Sequence, residues 1–246
     1  RMSSSSTNFT SRAFIEGLDG SDPLASFRNE FLINDDDVCY LDGNSLGRLP
    51  LATIGVVNDY LHSEWGAQMV SGWHSWIDEA QSTGDLIGRA TLGAASGQIL
   101  TVDTTSVNFY QLCYAAITAR PGRHKIISDT ANFPTDRYIL EGLCQELGCE
   151  LILINDEDGE EYVTPEMLAP YLDDDVALVT FSVIQYRSGA LHDIARISQM
   201  TRDSGALCVW DASHAVGVVP LQLDRDNAGL AIGCTYKYGN SGPGSP

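Results

Sequence analysis

Two residues suited to covalent cofactor chemistry each follow a predicted strand in the second half of the sequence. Asp211 closes the predicted strand 206–210, and Lys237 comes just after the predicted strand 230–234. Because ligands of open α/β sheets bind at the carboxyl ends of strands, we expect both side chains at one edge, with Ser182 at the end of a third strand. A lysine amine can form an imine with pyridoxal 5'-phosphate (PLP), and a carboxylate beside the pyridine nitrogen keeps that nitrogen protonated. The pair therefore suggests a PLP site.

Each of these residues also has a structural explanation. An Asp at a strand end often caps the following helix, and a lone Lys is usually a solvated surface residue. His214, in the segment that follows Asp211, could be a hydrogen-bonded structural histidine. The residue types and their spacing leave both explanations open.

The segments that must position these residues alternate between short apolar strands and helices of about ten residues. This alternation predicts an α/β fold with a mostly parallel sheet. Without an internal repeat or a low-complexity linker, the sequence predicts one domain over 38–246, preceded by a polar N-terminal arm over 1–37. The predicted strands are 98–102, 124–128, 150–154, 176–182, 206–210 and 230–234, and the predicted helices are 51–69, 84–95, 106–118, 135–147, 165–171 and 194–204, with a loop over 70–83.

Charge and composition exclude several classes of partner. The 246-residue chain has 33 acidic and 14 basic residues and a net charge of −19, which disfavours nucleic acids and anionic membranes. Its 43% hydrophobic residues suffice for a large core. No apolar segment reaches the roughly 18 residues of a membrane helix, and residues 1–12 lack the apolar centre of a signal peptide.

Six cysteines stand without a CxxC pair or zinc-ligand spacing, so we predict no metal site. Cys113 and Cys208 lie in apolar segments and are predicted to be buried free thiols, as in a reducing cytoplasm.

Six motifs follow one another along the sequence, at 41–47 (LDGNSLG), 104–108 (TTSVN), 133–136 (FPTD), 186–189 (YRSG), 211–217 (DASHAVG) and 236–245 (YKYGNSGPGS). In this order they resemble the motifs of the kynureninase family, which belongs to the class V aminotransferase superfamily of PLP enzymes. The string after Lys237 is the most specific of them, since related cysteine desulfurases share the Asp, His and Lys but not this string. The resemblance covers about residues 38–246.

The resemblance implies a PLP fold of the aspartate-aminotransferase type, of which this chain is the large domain. It also implies the roles of individual residues. Lys237 would bind the cofactor covalently and move the substrate Cα proton, Asp211 would pair with the pyridine nitrogen, and Tyr236 would contact the phosphate and act as an acid or base. The remaining cofactor contacts implied are Thr105, Ser106, Phe133, Pro134, Thr135, Asp136, Ser182 and His214.

The implied reaction is hydrolysis of L-kynurenine or 3-hydroxykynurenine to L-alanine and an anthranilate, in tryptophan catabolism or NAD biosynthesis. The implied assembly is a homodimer, and three tryptophans within 65–76 are candidates for its interface. Because the chain ends in a loop after a strand, we expect the protein to continue beyond Pro246 into a smaller domain. Two alternatives remain: another class V enzyme, such as a cysteine desulfurase or an epimerase, or a non-catalytic PLP-binding fragment.

Overall fold

A computed structural model describes residues 9–35, 37–155 and 162–246. Their contacts form two units: an N-terminal unit of residues 1–40 and 48–69, and a sheet unit of residues 41–47 and 70–246. This division differs from the boundary expected after residue 37, because the contacts group residues 48–69 with the N-terminal segment.

The N-terminal unit is helical. Ser11 caps its first helix, α1, by accepting a hydrogen bond from the Phe14 amide at 3.3 Å. The sequence analysis missed α1, a short helix that contains two glycines. The helix predicted over 51–69 is confirmed, with a π-helical segment in its middle. The bounds are α1 Arg12–Ser21, a 3₁₀ helix Ala25–Glu30, α2 Leu51–Asp59, a π-helical segment Tyr60–Trp65 and α3 Gly66–Gln68.

The sheet unit contains five parallel strands in the order β2-β1-β3-β4-β5. Five of the six predicted strands are confirmed to within two residues. The helices predicted over 106–118, 135–147 and 194–204 are confirmed to within one residue, and that over 165–171 is a short α-helix followed by a 3₁₀ turn. The strands are β1 Lys125–Asp129, β2 Glu150–Ile154, β3 Val176–Ser182, β4 Leu207–Asp211 and β5 Leu230–Ile232. The helices are α4 Trp73–Trp76, α5 Glu79–Ile87, α6 Thr105–Thr118, α7 Pro134–Leu147, α8 Pro165–Leu168 and α9 Ile194–Asp203, with 3₁₀ turns Met69–Gly72 and Ala169–Tyr171 and a π-helical segment Gly88–Leu92.

The prediction of a strand over 98–102 is wrong. The Thr101 amide donates to the Ala80 carbonyl at 3.1 Å, and the Gln81 side chain donates to the Ile99 carbonyl at 3.0 Å. The segment therefore pairs with the start of α5 instead of with a strand. The loop predicted over 70–83 is also wrong in part, since α4 and the first turn of α5 lie within it.

Side chains of successive strand residues pack on opposite faces of the sheet, and each face has its own core. Leu178 packs in the cluster that contains Phe109, whereas its neighbour Val179 packs with Phe181 and Trp210. All five side chains are fully buried. Burial of each stabilises the fold by roughly 1.5–3 kcal/mol, which explains why β3 is apolar along nearly its whole length.

The strand order determines where a ligand can bind. From β1 the chain runs to β2 on one side and then returns to β3 on the other, so connections diverge above the carboxyl ends of β1 and β3. Such a switch point is the common ligand crevice of open α/β sheets. The register pairs Ser182 with Asp211 and Asp211 with Ile232, which brings the ends of β3, β4 and β5 side by side.

Candidate active site

Lys237 is buried at the carboxyl end of the sheet, five residues after β5, with 6% of its surface exposed. Its Nζ lies 2.9 Å from His214 Nε2. Burial lowers the pKa of Lys237, although Cys234, Asp211 and Asp136 oppose this effect. Burial, followed by the charge of Lys237, also lowers the pKa of His214 to about 4. A neutral imidazole therefore accepts a hydrogen bond from the lysine, whose lowered pKa favours the reactive free amine.

Aromatic rings surround the same amine. The Phe133 ring centroid lies 5.5 Å from Lys237 Nζ, and that of Tyr236 lies 5.9 Å away. Tyr186 meets Phe133 edge to face with the ring centres 5.2 Å apart, and it lies 6.3 Å from the His214 ring. These rings form an apolar wall against which a flat heterocycle could stack.

Two buried carboxyl groups face the lysine from neighbouring elements. Asp211 ends β4 and accepts a hydrogen bond from the Ser213 amide at 2.8 Å, and Asp136 lies in the first turn of α7. Burial, together with the nearby Asp211, raises the pKa of Asp136 to about 9. Asp136 is therefore protonated at neutral pH, and its Oδ2 has no hydrogen-bond partner among the residues that the structure describes.

The start of α7 supplies Phe133 and Asp136 together. Pro134 occupies the first helical turn, where its missing N–H costs no hydrogen bond, and its ring favours the backbone angle that begins a helix. Phe133 precedes it as the N-cap residue. Thr135 is exposed to solvent beside them.

The N-terminus of α6 lies beside the segment that leads from β5 to Lys237. Thr105 Oγ1 donates to the Gly233 carbonyl at 3.2 Å, and Ser106 is the next, exposed residue. The Thr104 side chain makes no capping hydrogen bond, so the first amides of a 14-residue helix are left for another acceptor. A phosphate group suits such a helix end.

Tyr236 is a phenol rather than a phenolate at neutral pH. Burial, followed by the nearby Cys234, raises its pKa to about 12. Its backbone carbonyl accepts a hydrogen bond from the Gly47 amide at 2.8 Å. A side chain at Gly47 would collide with the Lys237 carbonyl oxygen and with Asn240. The turn 41–47 therefore packs directly on the loop of the lysine, which explains a glycine at this position.

The structure thus brings together the residues predicted around Lys237: Phe133, Asp136, Asp211 and His214 directly, with Ser182 paired to Asp211 in the sheet. The predicted site missed Asn132, which is buried between β1, β3 and α7, and Tyr186. Tyr186 stands in a motif that the resemblance had already marked, whereas a lone Asn in the loop between a strand and a helix gives no signal in the sequence.

A groove of about 810 Å³ lies elsewhere in the sheet unit, beside β5 and residues 98–102. None of the residues predicted to bind the cofactor lines it. We therefore assign the chemistry to the cluster of residues around Lys237, where the titratable groups are. Within the described residues, no three His, Cys, Asp or Glu side chains are grouped so that they could hold a metal ion, and no helix is both long and apolar enough to cross a membrane.

The site fits PLP on features of its own. A buried amine faces an aromatic wall, and a buried carboxyl oxygen of Asp136 has no hydrogen-bond partner within the described part. The uncapped α6 N-terminus suits the phosphate group. These features match an aldehyde, an aromatic ring with a basic nitrogen, and a phosphate.

Comparisons with known proteins agree with this chemistry. The family model of aminotransferase class V matches residues 39–243. The chain is 39% identical to a kynureninase of Pseudomonas fluorescens over 245 residues, covering 96% of this chain and 56% of that protein. It is also 39% identical to a kynureninase of Burkholderia pseudomallei strain 1106a, covering 93% and 55%. The chain therefore spans about half the length of these relatives.

Solved structures share the fold at low identity. A cysteine desulfurase from Thermococcus onnurineus NA1 superposes with a TM-score of 0.71 at 17% identity, over 94% of this chain and 55% of that one. The cysteine desulfurase CsdA from Escherichia coli gives 0.73 at 14% identity, over 87% and 54%. The predicted PLP-transferase fold is confirmed. Because its family model covers most of the sequence, the chain belongs to the aminotransferase class V family of PLP-dependent enzymes.

Proposed function

We propose that the protein hydrolyses L-kynurenine or 3-hydroxykynurenine to L-alanine and an anthranilate. The observation that carries the proposal is the 39% identity with kynureninases along 96% of the chain, against 14–17% with the cysteine desulfurases that share its fold. In the reaction, water adds to the side-chain carbonyl and the Cβ–Cγ bond breaks. PLP, when bound, supplies an electron-accepting ring that stabilises negative charge at the substrate Cα.

Lys237 is proposed to hold the cofactor and to move the Cα proton. Its burial and lowered pKa increase the fraction of free amine, which is the form that bonds to an aldehyde or accepts a proton. His214, 2.9 Å from Nζ and neutral, orients the amine without adding a positive charge. Burial thus favours the free amine of Lys237, and His214 orients it.

Asp211 and Asp136 are proposed to bind the pyridine nitrogen edge of the cofactor. Because burial and the neighbouring Asp211 raise the pKa of Asp136, the two carboxyl groups share a proton and offer a single negative charge to a pyridinium. This arrangement holds a single carboxylate in a buried place where two would repel each other. Asp211 is therefore the electrostatic partner, and Asp136 is its hydrogen-bonding neighbour.

The remaining residues are proposed to hold the cofactor or to donate a proton. Phe133 stacks on the ring face, while Pro134, Thr135 and Ser182 line the same end of the sheet. Thr105 and Ser106 bind the phosphate with the α6 amides. Tyr236, whose pKa is about 12, is a proton donor rather than a base at neutral pH.

We further propose a cytoplasmic homodimer that acts in tryptophan catabolism or NAD biosynthesis. Trp65 and Trp73 leave 59% and 61% of their surfaces exposed, which is unusual for tryptophan and supports a subunit interface around 65–76. Light scattering at micromolar concentration tests this, and a monomer that still hydrolyses kynurenine would contradict it.

The function is tested by loading the chain with PLP and assaying L-kynurenine and L-cysteine in parallel. We expect anthranilate from kynurenine, no sulfur release from cysteine, and borohydride reduction that fixes the cofactor on Lys237. Lys237→Ala removes the label, and Lys125→Ala, which changes an exposed pair with Asp173, is the matched control. Sulfur release would favour the desulfurase alternative, binding without any turnover would favour a non-catalytic fragment, and a label on Lys125 would refute the lysine assignment.

A further inference from the structure

We propose that Asn132 is a positioning residue that fixes the ring of Phe133 and the hydroxyl of Ser182 for the cofactor. The inference rests on the proposed PLP site and adds a residue that neither the motifs nor the comparisons mark. Asn132 is 2% exposed and lies between the end of β1 and the start of α7.

The Asn132 side chain makes three hydrogen bonds to three different elements. Its Nδ2 donates to Ser128 Oγ at 3.0 Å, in β1. Its Oδ1 accepts from the Phe133 amide at 2.8 Å, at the start of α7, and from Ser182 Oγ at 2.8 Å, at the end of β3. Both lone pairs of the amide oxygen are therefore used, and the side chain can rotate only by breaking these bonds.

The two residues that Asn132 holds, Phe133 by its backbone amide and Ser182 by its hydroxyl, are neighbours of Lys237 and Asp211 respectively. Phe133 stands with its ring 5.5 Å from Lys237 Nζ, and Ser182 is the register partner of Asp211. Asn132 thus links the backbone that carries the Phe133 ring to the hydroxyl of Ser182 on β3, the strand next to that of Asp211. Its effect on the cofactor passes through these two residues, so Asn132 acts by positioning.

An amide suits this position better than a carboxylate. Asp129, Asp136 and Asp211 already lie at this end of the sheet, and the first two have pKa values raised to about 6 and about 9, mainly by burial. A further charge would add to their repulsion. An amide offers a hydrogen-bond acceptor and a donor in one neutral group. The Asn132→Asp variant would instead carry a charged carboxylate, which only accepts hydrogen bonds.

The test compares Asn132→Ala with Ser198→Ala in the full chain. Ser198 lies on α9 and is also fully buried. Its Oγ accepts a hydrogen bond from Trp210 Nε1 at 2.9 Å. Both variants lose buried hydrogen bonds, so urea unfolding measures how far each loss lowers the free energy of unfolding. The PLP dissociation constant and the circular dichroism of the bound cofactor band then report the site itself.

We expect Asn132→Ala to weaken PLP binding about tenfold or more and to change the cofactor dichroism, with Ser198→Ala within about twofold of the unaltered chain. Asn132→Asp keeps an acceptor for Phe133 and Ser182, so it should recover the dichroic band even where its charge weakens affinity. A folded Asn132→Ala with the affinity and band of the unaltered chain overturns the inference.

A second variant decides if Asn132→Ala does not fold. Ser128→Ala removes only the acceptor of Asn132 Nδ2, and Ser128 has no assigned contact with the cofactor. If Ser128→Ala weakens PLP binding and alters the dichroic band of the cofactor, the inference is supported. If affinity and band both equal those of the unaltered chain, the inference is overturned. An unaltered chain that does not bind PLP also overturns it, whereas PLP binding without anthranilate production removes only the proposed function.

Discussion

Replacing Asp136 by Asn tests whether this carboxyl group is protonated in the folded protein. Its pKa is raised from 3.8 to about 9, first by burial and then by Asp211. Because the folded pKa lies above the unfolded one, the unfolded chain releases a proton that the folded chain keeps. The contribution of Asp136 to the free energy of unfolding is therefore greatest below pH 3.8, and it is lost progressively as the pH rises toward 9.

The expected magnitude follows from this window. Each pH unit within it costs about 1.36 kcal/mol, so the 3.2 pH units between 3.8 and 7 amount to at most about 4 kcal/mol of unfolding free energy. Asp136→Asn removes this dependence. The unfolding free energy that the variant gains over the unaltered apoprotein should therefore be larger at pH 7 than at pH 5, by roughly 2–3 kcal/mol.

Urea unfolding of both proteins at pH 5, 6 and 7, without PLP, measures this difference. Asp173→Asn serves as the control, because Asp173 is solvent-exposed in the ion pair with Lys125, which stays charged over this range, and its pKa is lowered by that hydrogen bond. Its effect should not change over the same pH range. A gain for Asp136→Asn that is equal at pH 5 and pH 7 would show that Asp136 is ionised in the fold, and the division of roles between Asp136 and Asp211 would be wrong.

Three further substitutions probe other parts of the site and fold. Asp211→Asn should keep the borohydride-fixed label but reduce kynurenine turnover by about 10²-fold or more, with Asp211→Glu less harmful; near-normal turnover in the Asn variant would reject the role of the charge. Gly47→Ala should reduce cofactor labelling of Lys237, while Gly43→Ala, whose added carbon meets nothing within 4 Å, should not. His192 has its pKa lowered to about 4 by burial, so stability should fall as the pH drops from 6.5 toward 4. His192→Phe should flatten that fall in urea unfolding, although the unpaired Val163 amide costs about 1–3 kcal/mol at every pH.

The strands of the sheet were predictable because burial on both faces makes them uniformly apolar. The prediction of β2 and β3 was correct to the residue. Segment 98–102 has the same composition but pairs with α5, since apolar character alone does not specify the hydrogen-bonding partner. α1 was missed although Phe14, Ile15 and Leu18 have helical spacing, because Gly17 and Gly20 are poor helix formers and the segment is short.

In the site, the residue types of Asp211 and Lys237 suggested the chemistry, and the resemblance supplied most of their neighbours. What the sequence could not indicate is how the charge is distributed. The protonation of Asp136 and the neutrality of His214 result from burial and from the proximity of Asp211 and Lys237, which only the folded chain creates. Asn132 escaped notice because its role depends on reaching Ser128 and Ser182 on two separate strands.

The order of the strands also has a consequence for the kinetics of folding. β1 pairs with β3 through Lys125 and Val176, which are 51 positions apart in the chain (176 − 125). Closing such loops costs chain entropy before the new contacts repay it, so a topology of this kind folds slowly. The groups around Lys237 meet only after β1, β3, β4 and β5 have joined. A nascent or partly folded chain therefore has no complete cofactor site. Because PLP would bind only the completed sheet, it would stabilise the folded state relative to the unfolded and partly folded chains.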